Sequence, residues 1–321
     1  MTNKQRYKIF CDEHSEIPLF MQAWWLDAVT MPDGKDWDVL LCEENGKIVG
    51  AMPYHLFRKW GLKTIDRTQH TQYHGLWIDY PMDCKPHKRY SFEKRVMDSL
   101  IDQLEALSVA FYSQNFHHSF MNWQPFYWRG FRQTTRYTYI LKNIADIDTI
   151  FDNAHPRYRQ KLRKSEKELV VDFNFLPEEF YDFHKNSLSE NNDSVNYSNQ
   201  LFLSIYREAT KRKQGKIIAI RNKNNDILSA IFFVWDMNCG YNLITVRKIE
   251  DGSNDASIYM IWEAIKYLSD KAKNYDFEGS MIKGVANVNQ QFGAEQVPYF
   301  NISKCNSKRF ALLRYIKTLI R

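Results

Sequence analysis

The feature that most constrains this chain is an internal duplication. Residues 37–54 read WDVLLCEENGKIVGAMPY and residues 216–233 read KIIAIRNKNNDILSAIFF, and the two align without a gap. In each, an apolar strand enters a polar turn and a second apolar strand leaves it. The turns are Asn45-Gly46-Lys47 and Asn224-Asn225-Asp226. Asn and Gly tolerate the positive φ that a tight hairpin needs. A chain of 321 residues permits two domains; a pattern written twice specifies two related ones.

The flanks agree in kind. Helix-like segments precede the hairpins at 19–30 and 199–210, the second with Leu201, Ile205 and Ala209 on one face. A further strand follows each hairpin, at 74–80 and 240–246. Long amphipathic helices come next: 91–107 with Val96, Leu100, Leu104 and Leu107, and 256–272 with Ile258, Ile261, Ile265 and Leu268. Each leads into a short strand, 110–113 or 275–278. Both copies then end on a glycine beside a phenylalanine, Gly130-Phe131 and Phe292-Gly293, before a last strand. Glycine there suits a left-handed helix cap. Hairpins followed by a crossover predict an α/β fold, each copy a mixed sheet flanked by helices. The boundary is expected near 143–152, giving domains 1–145 and 146–321.

Composition narrows the class. An apolar fraction of 44% supplies real cores, and the net charge of +6 permits an anionic ligand without requiring one. The cysteines, Cys11, Cys42, Cys84, Cys239 and Cys305, are scattered and form no Cys-x-x-Cys, which argues against a zinc site and a disulfide framework. His70 and His74 have helical metal spacing, yet their neighbours read as loop and strand with no third ligand, so no metal is expected. No apolar run is long enough for a membrane span and the start has no signal core, so a cytoplasmic protein is expected. The aromatic stretch Trp123, Phe126, Tyr127 and Trp128 reads as core. No phosphate-binding P-loop, dinucleotide fingerprint or nucleophile elbow occurs.

The element order with its Tyr127-x-x-Gly130-Phe131 ending resembles the GNAT acyltransferase fold. Two such domains in tandem resemble the FemAB-like group, which includes aminoacyl-tRNA-dependent transferases of peptidoglycan cross-bridges and BioF2-like acetyltransferases. Three stretches carry the likeness: PRYRQKLRK at 156–164 with Lys167, DFEGSMIKGV at 276–285, and QQFGAEQVPYF at 290–300. The resemblance implies two GNAT-like domains and transfer of an acyl or aminoacyl group to an amine of a small metabolite or a cell-envelope (peptidoglycan) precursor. It implies acetyl-CoA or another acyl-CoA, or aminoacyl-tRNA, as donor, and a small-molecule or lipid-linked acceptor. Acetyl-CoA-binding members carry a glycine-rich loop before the central helix, whose N–H groups cradle a pyrophosphate. The first copy has CKPHKRYSFEK there and the second VRKIEDGSND, and neither meets that motif. The first copy therefore reads as a scaffold or acceptor-binding domain.

The second copy offers Arg247, Lys248, Gly252, Ser253 and Asn254 on the donor side, with Lys283 beyond the facing strand. Acyl transfer to an amine needs a base, oxyanion donors and a proton for the leaving group. Glu278 is the candidate base. It sits on the strand at 275–278, and Asp276 lies two residues before it, so the two carboxylates share a face. Tyr299 is a candidate proton donor. Arg157, Arg159, Lys161, Arg163 and Lys164 could grip an anionic substrate, because guanidinium forks match phosphate oxygens; the same charges could also form a solvated helix face. A non-catalytic protein holding an anionic envelope precursor is the alternative, with a nucleic-acid binder third.

Overall fold

The computed structural model describes residues 1–319 apart from 83, 84, 191, 249–252 and 280. It divides into two compact units, Met1–Arg136 with Pro298–Arg321, and Tyr137–Val297. Unit 1 runs α1 (Asn3–Glu13), α2 (Ala23–Thr30), β1 (Trp37–Glu44), β2 (Lys47–Lys59), β3 (Leu62–Ile65), β4 (Trp77–Ile78), α3 (Pro86–Ala106), β5 (Phe111–Asn115), α4 (Gln124–Trp128) and the first part of β6 (Arg132–Lys142). Unit 2 takes the rest of β6. It continues through α5 (Ile147–Asn153), α6 (Pro156–Glu168), β7 (Val170–Asp172), α7 (Pro177–Ser189), α8 (Asn199–Lys211), β8 (Gly215–Arg221), β9 (Ile227–Trp235), β10 (Cys239–Arg247), α9 (Ser253–Leu268), β11 (Asn274–Asp276), α10 (Lys283–Gln291) and the start of β12 (Glu295–Cys305). The remainder of β12 and α11 (Lys308–Leu319) belong to unit 1.

Both hairpins form. β1 and β2 pair antiparallel up to Glu44↔Lys47, and Asn45 and Gly46 turn the chain with φ of 53° and 78°. The second hairpin differs in its turn. Arg221 pairs with Ile227, and Asn222 Oδ1 accepts from the N–H groups of Asn224 and Asp226, both at 2.9 Å. That side chain stands in for a backbone turn, and the loop is longer than in the first copy. The pairing consequently slips by one place: Leu41 faces Ala51, whereas Ile220 faces Ser229.

In unit 1 the sheet order is β1-β2-β3-β5-β12, with β4 on β2. The apolar stripe of α3 buries Phe92, Val96, Met97, Leu100, Ile101 and Leu104 against Met52, Tyr112 and Ile302. In unit 2 the order is β6-β11-β10-β9-β8-β7. There α9 buries Tyr259, Met260, Trp262 and Ala264 as well as its predicted stripe, as a helix covered on most sides does. The caps of α4 and α10 fall at Gly130 and Gly293, with φ of 76° and 82°. The aromatic stretch divides: Phe126 is fully buried, while Tyr127 and Trp128 are exposed.

The chain is shared between the units in a way one boundary at 145/146 does not describe. β6 closes the first copy in sequence, yet Ile140, Leu141 and Lys142 pair with β11 in unit 2. β12 closes the second copy, yet Asn301–Cys305 pair with β5 in unit 1. Each copy gives its closing strand to the other's sheet.

Candidate active site

In unit 2 the parallel strands β10 and β11 pair over three positions, ending at Tyr241↔Asp276. β10 continues along β9 to Arg247 while β11 stops, so the two part company there. Local chemistry enforces the parting. Asp276 is fully buried. Its Oδ1 accepts from the Thr138 hydroxyl and, at 2.7 Å, from the N–H of Glu278. The N–H of Phe277 adds one more rung to the ladder with β6, reaching Tyr139 O at 3.0 Å. Glu278 and Gly279 then both take left-handed backbone, φ 60° and 62°.

That conformation has a cost. A left-handed non-glycine residue costs roughly 1–2 kcal/mol, and such strain persists only where surrounding contacts fix it. Gly279 is required, because a Cβ there would stand 2.4 Å from Tyr137 O. β10 is irregular opposite this point. Tyr241 pairs with Val234 but Ile244 with Phe232, so an extra residue bulges from the strand. Within the bulge Asn242 Oδ1 is buried with no hydrogen-bond partner among the described residues. A buried acceptor of this kind calls for a ligand or a water. Tyr241 lines the start of the gap, and its phenol is held well above the usual range by burial and then by Asp236.

The predicted residues fare unequally. Glu278 is half-buried beside the gap, but it lies beyond the strand rather than on it, so strand alternation does not put it on one face with Asp276. The Asp276 carboxylate is engaged in shaping the turn. Arg247 is exposed at the end of β10, its carbonyl accepting from Ser187 Oγ at 2.7 Å; Lys248 follows it. Ser253 and Asn254 open α9, and Gly252 lies outside the described residues. Lys283 is exposed at the first position of α10. Tyr299 belongs to unit 1, where its ring meets Tyr73 edge-on at 5.6 Å; Glu278 and Asp276 belong to unit 2.

The basic segment forms α6, which buries Tyr158, Leu162 and Ser165. Much of its charge is engaged within unit 2. Lys161 pairs with Asp255 in the first turn of α9 at 2.5 Å, Arg159 with Asp152 at 3.6 Å and Lys164 with Glu168 at 3.8 Å. Arg163 lies over the ring of Phe151, and Arg157 is exposed. In unit 1 the matching start of α3 borders a cavity of about 460 Å³, lined by Lys88, His87 and Arg95 among others; Arg95 there pairs with Glu44.

Unit 1 holds a second feature the sequence did not signal. Two segments fill the space between β2 and β5. β3 does so at one end, through Leu56↔Ile65 and Thr64↔Phe111. Residues 74–78 do so at the other, through His74↔Phe116 and Ala51↔Trp77. Buried polar side chains gather at the seam. Gln114 Nε2 donates to Pro53 O at 3.0 Å and lies 3.5 Å from His74 Nδ1. Asn115 Nδ2 donates to Gln72 O at 3.1 Å. His55 Nδ1, His74 Nε2 and both amide atoms of Gln72 are buried without hydrogen-bond partners among the described residues. Burial holds the His55 imidazole down to about 4 and, with His55 nearby, His74 down to about 3. Both are neutral near pH 7, so the seam offers uncharged donors and acceptors. Among the described residues no group of three or more His, Cys, Asp or Glu is placed to hold a metal ion, and no helix is long and apolar enough to cross a membrane.

No protein-family model matches the sequence, and no curated protein matches it. Solved structures do. FemX superposes with a TM-score of 0.70 at 14% identity, over 94% of this chain and 96% of that one. The C-terminal domain of a putative lysylphosphatidylglycerol synthetase from Agrobacterium fabrum gives 0.60 at 8% identity, over 99% and 96%. L-PGS from Bacillus licheniformis gives 0.55 at 10%, over 98% and 96%. At these identities the likeness establishes architecture alone. The likeness means that this chain has the fold seen in FemX.

Proposed function

We propose that the chain is an acyltransferase that moves an acyl or aminoacyl group onto an amine of a small metabolite or a cell-envelope precursor in the cytoplasm. The observation that carries the reading is the built gap in unit 2. Parallel strands are held apart by a buried carboxylate, a strained Glu278 stands on one side, and a bulge with an unsatisfied Asn242 stands on the other. Strain and bulging at one point are features a fold maintains at a site rather than in a wall.

In this reading the amine attacks the donor carbonyl. A C–N bond forms, and the thioester C–S bond or ribose ester C–O bond breaks. Glu278 takes the ammonium proton, and Asp276 positions it through the 2.7 Å bond to its N–H. The unsatisfied Asn242 Oδ1 at the β10 bulge is the candidate to accept a hydrogen bond from the attacking amine. The proton taken from the ammonium balances the one that the leaving thiolate or ribose oxygen needs, exchanged through solvent. Arg247, Lys248 and Lys283 are the candidates for the phosphate side, with Ser253 and Asn254 at the α9 N-terminus, where negative charge is favoured. The likeness to a lysylphosphatidylglycerol synthetase supports aminoacyl transfer and a lipid-linked acceptor; acyl-CoA remains the other donor class. The pairing of Lys161, Arg159 and Lys164 gives the anion-holding alternative less to work with.

Arg247→Ala tests the donor assignment. Losing a hydrogen-bonded charge on a phosphate is expected to weaken donor binding by about tenfold or more. The side chain is exposed, so the fold should survive. Calorimetry on the variant checks this, and unchanged affinity for a donor that binds the native chain would remove Arg247 from the site.

A further inference from the structure

We propose that α11, with the β2–β3 hairpin beside it, docks this protein on the surface of an anionic lipid bilayer. The surface lies wholly in unit 1 and does not depend on the catalytic reading.

Phe310 and Arg314 seat the helix on unit 1, the Arg314 guanidinium lying over the Phe111 ring at 4.5 Å. Phe310 is 1% exposed and packs on Phe111 and Trp60, each at 5.1 Å between ring centroids. The opposite face is bare. Leu312, Tyr315, Ile316 and Leu319 are 59%, 62%, 42% and 68% exposed. Their spacing is i, i+3, i+4, i+7, which makes one continuous apolar stripe. Scattered exposed apolar residues need no explanation, but a contiguous stripe does.

The charge is one-sided. Lys308, Arg309, Arg314 and Lys317 lie on α11, and residues 306–319 contain no Asp or Glu. The hairpin that supplies Trp60 reads RKWGLK at 58–63, adding Arg58, Lys59 and Lys63, again with no acid. Lys308 and Arg309 lie beside the stripe at its N-terminal end, and an apolar stripe flanked by basic residues, with a tyrosine on it, is the pattern of a helix lying in the headgroup layer. At 12 residues the helix is about 18 Å long, too short to span and long enough to lie flat.

Other occupants fit less well. A second copy would bring this positive face against itself. A nucleic acid would meet the charge and leave the stripe in water. An anionic bilayer satisfies both at once.

The test is co-sedimentation of the full chain with vesicles of equimolar phosphatidylcholine and phosphatidylglycerol, against phosphatidylcholine alone. Binding is expected to the anionic vesicles and to fall as salt is raised. Replacing Lys308 and Arg309 together by Gln should weaken it about tenfold or more, since each basic residue near such a surface contributes about a factor of five. Replacing Leu312 and Ile316 together by Ser should weaken it similarly. Both pairs are exposed, and an unchanged melting curve confirms that the variants fold. Equal binding to both vesicle types would overturn the proposal, as would native-like binding by either folded variant. So would a dimer in solution that the Leu312 and Ile316 variant abolishes while vesicles go unbound.

Discussion

Glu278→Gln is expected to lower turnover about 10²–10⁴-fold and leave donor binding nearly unchanged. The substitution keeps the side chain's shape and its tolerance of φ 60°, so it removes the charge with little else. The N–H of residue 278 still reaches Asp276, and the turn that parts β10 from β11 is retained. A carboxylate whose role is only to pair with a buried positive group predicts another outcome. Breaking such a pair costs about 3–5 kcal/mol of stability, while each folded molecule works as before. Turnover and melting temperature measured on the same variant separate the two. Full activity with a lowered melting temperature would end the catalytic reading.

A chain cut after residue 145 is expected not to fold into a stable domain. It lacks the strand that completes its own sheet. β5 loses its five-residue ladder to Asn301–Cys305. The core loses Ile302, which is fully buried, and Phe310. Gone too are the bonds from Asn301 Nδ2 to Asn115 at 3.0 Å and from Lys304 to Glu105 at 2.6 Å. Burying two large apolar side chains contributes about 1.5–3 kcal/mol each, and each ladder hydrogen bond about 1 kcal/mol. The total approaches the whole stability of a domain, about 5–15 kcal/mol. The fragment also exposes a bare strand edge, which invites aggregation. Joining residues 298–319 to residue 136 through a flexible linker should restore cooperative unfolding. Circular dichroism with thermal melting distinguishes the outcomes, and a soluble, cooperatively melting 1–145 fragment would contradict this account of the exchange.

What was legible in the sequence is what local patterns encode. Hairpins, helix stripes and glycine caps repeat in order, and Leu100 in α3 and Ile265 in α9 are buried as their spacing requires. Strand partners were not legible. RYTYIL and VPYFNIS state that each is a strand, and nothing in either says which sheet it joins. The one-residue slip in the second hairpin follows from Asn222 bonding its own loop, a choice that an ungapped match cannot display.

At the candidate site the carboxylates could be found, because Asp and Glu are conspicuous beside Phe277. Their geometry could not. A glutamate gives no hint of left-handed backbone, and only Gly279 after it is a residue that commonly takes it. Asn242 was invisible for a similar reason: a bulge is a property of pairing, not of one strand. His55, Gln72 and Gln114 are far apart in sequence and read as ordinary polar residues until the fold buries them together.

The most direct measurement of the central claim is thermal melting of the intact chain with acetyl-CoA, longer acyl-CoAs, aminoacyl-tRNA and uncharged tRNA in turn. A ligand at about 100 times its Kd adds roughly 2.7 kcal/mol, enough to move the midpoint visibly. The account predicts that one donor class raises the midpoint, that the free carrier does so less, and that Arg247→Ala removes most of the shift. No shift with any acyl or aminoacyl donor at saturating concentration would contradict it.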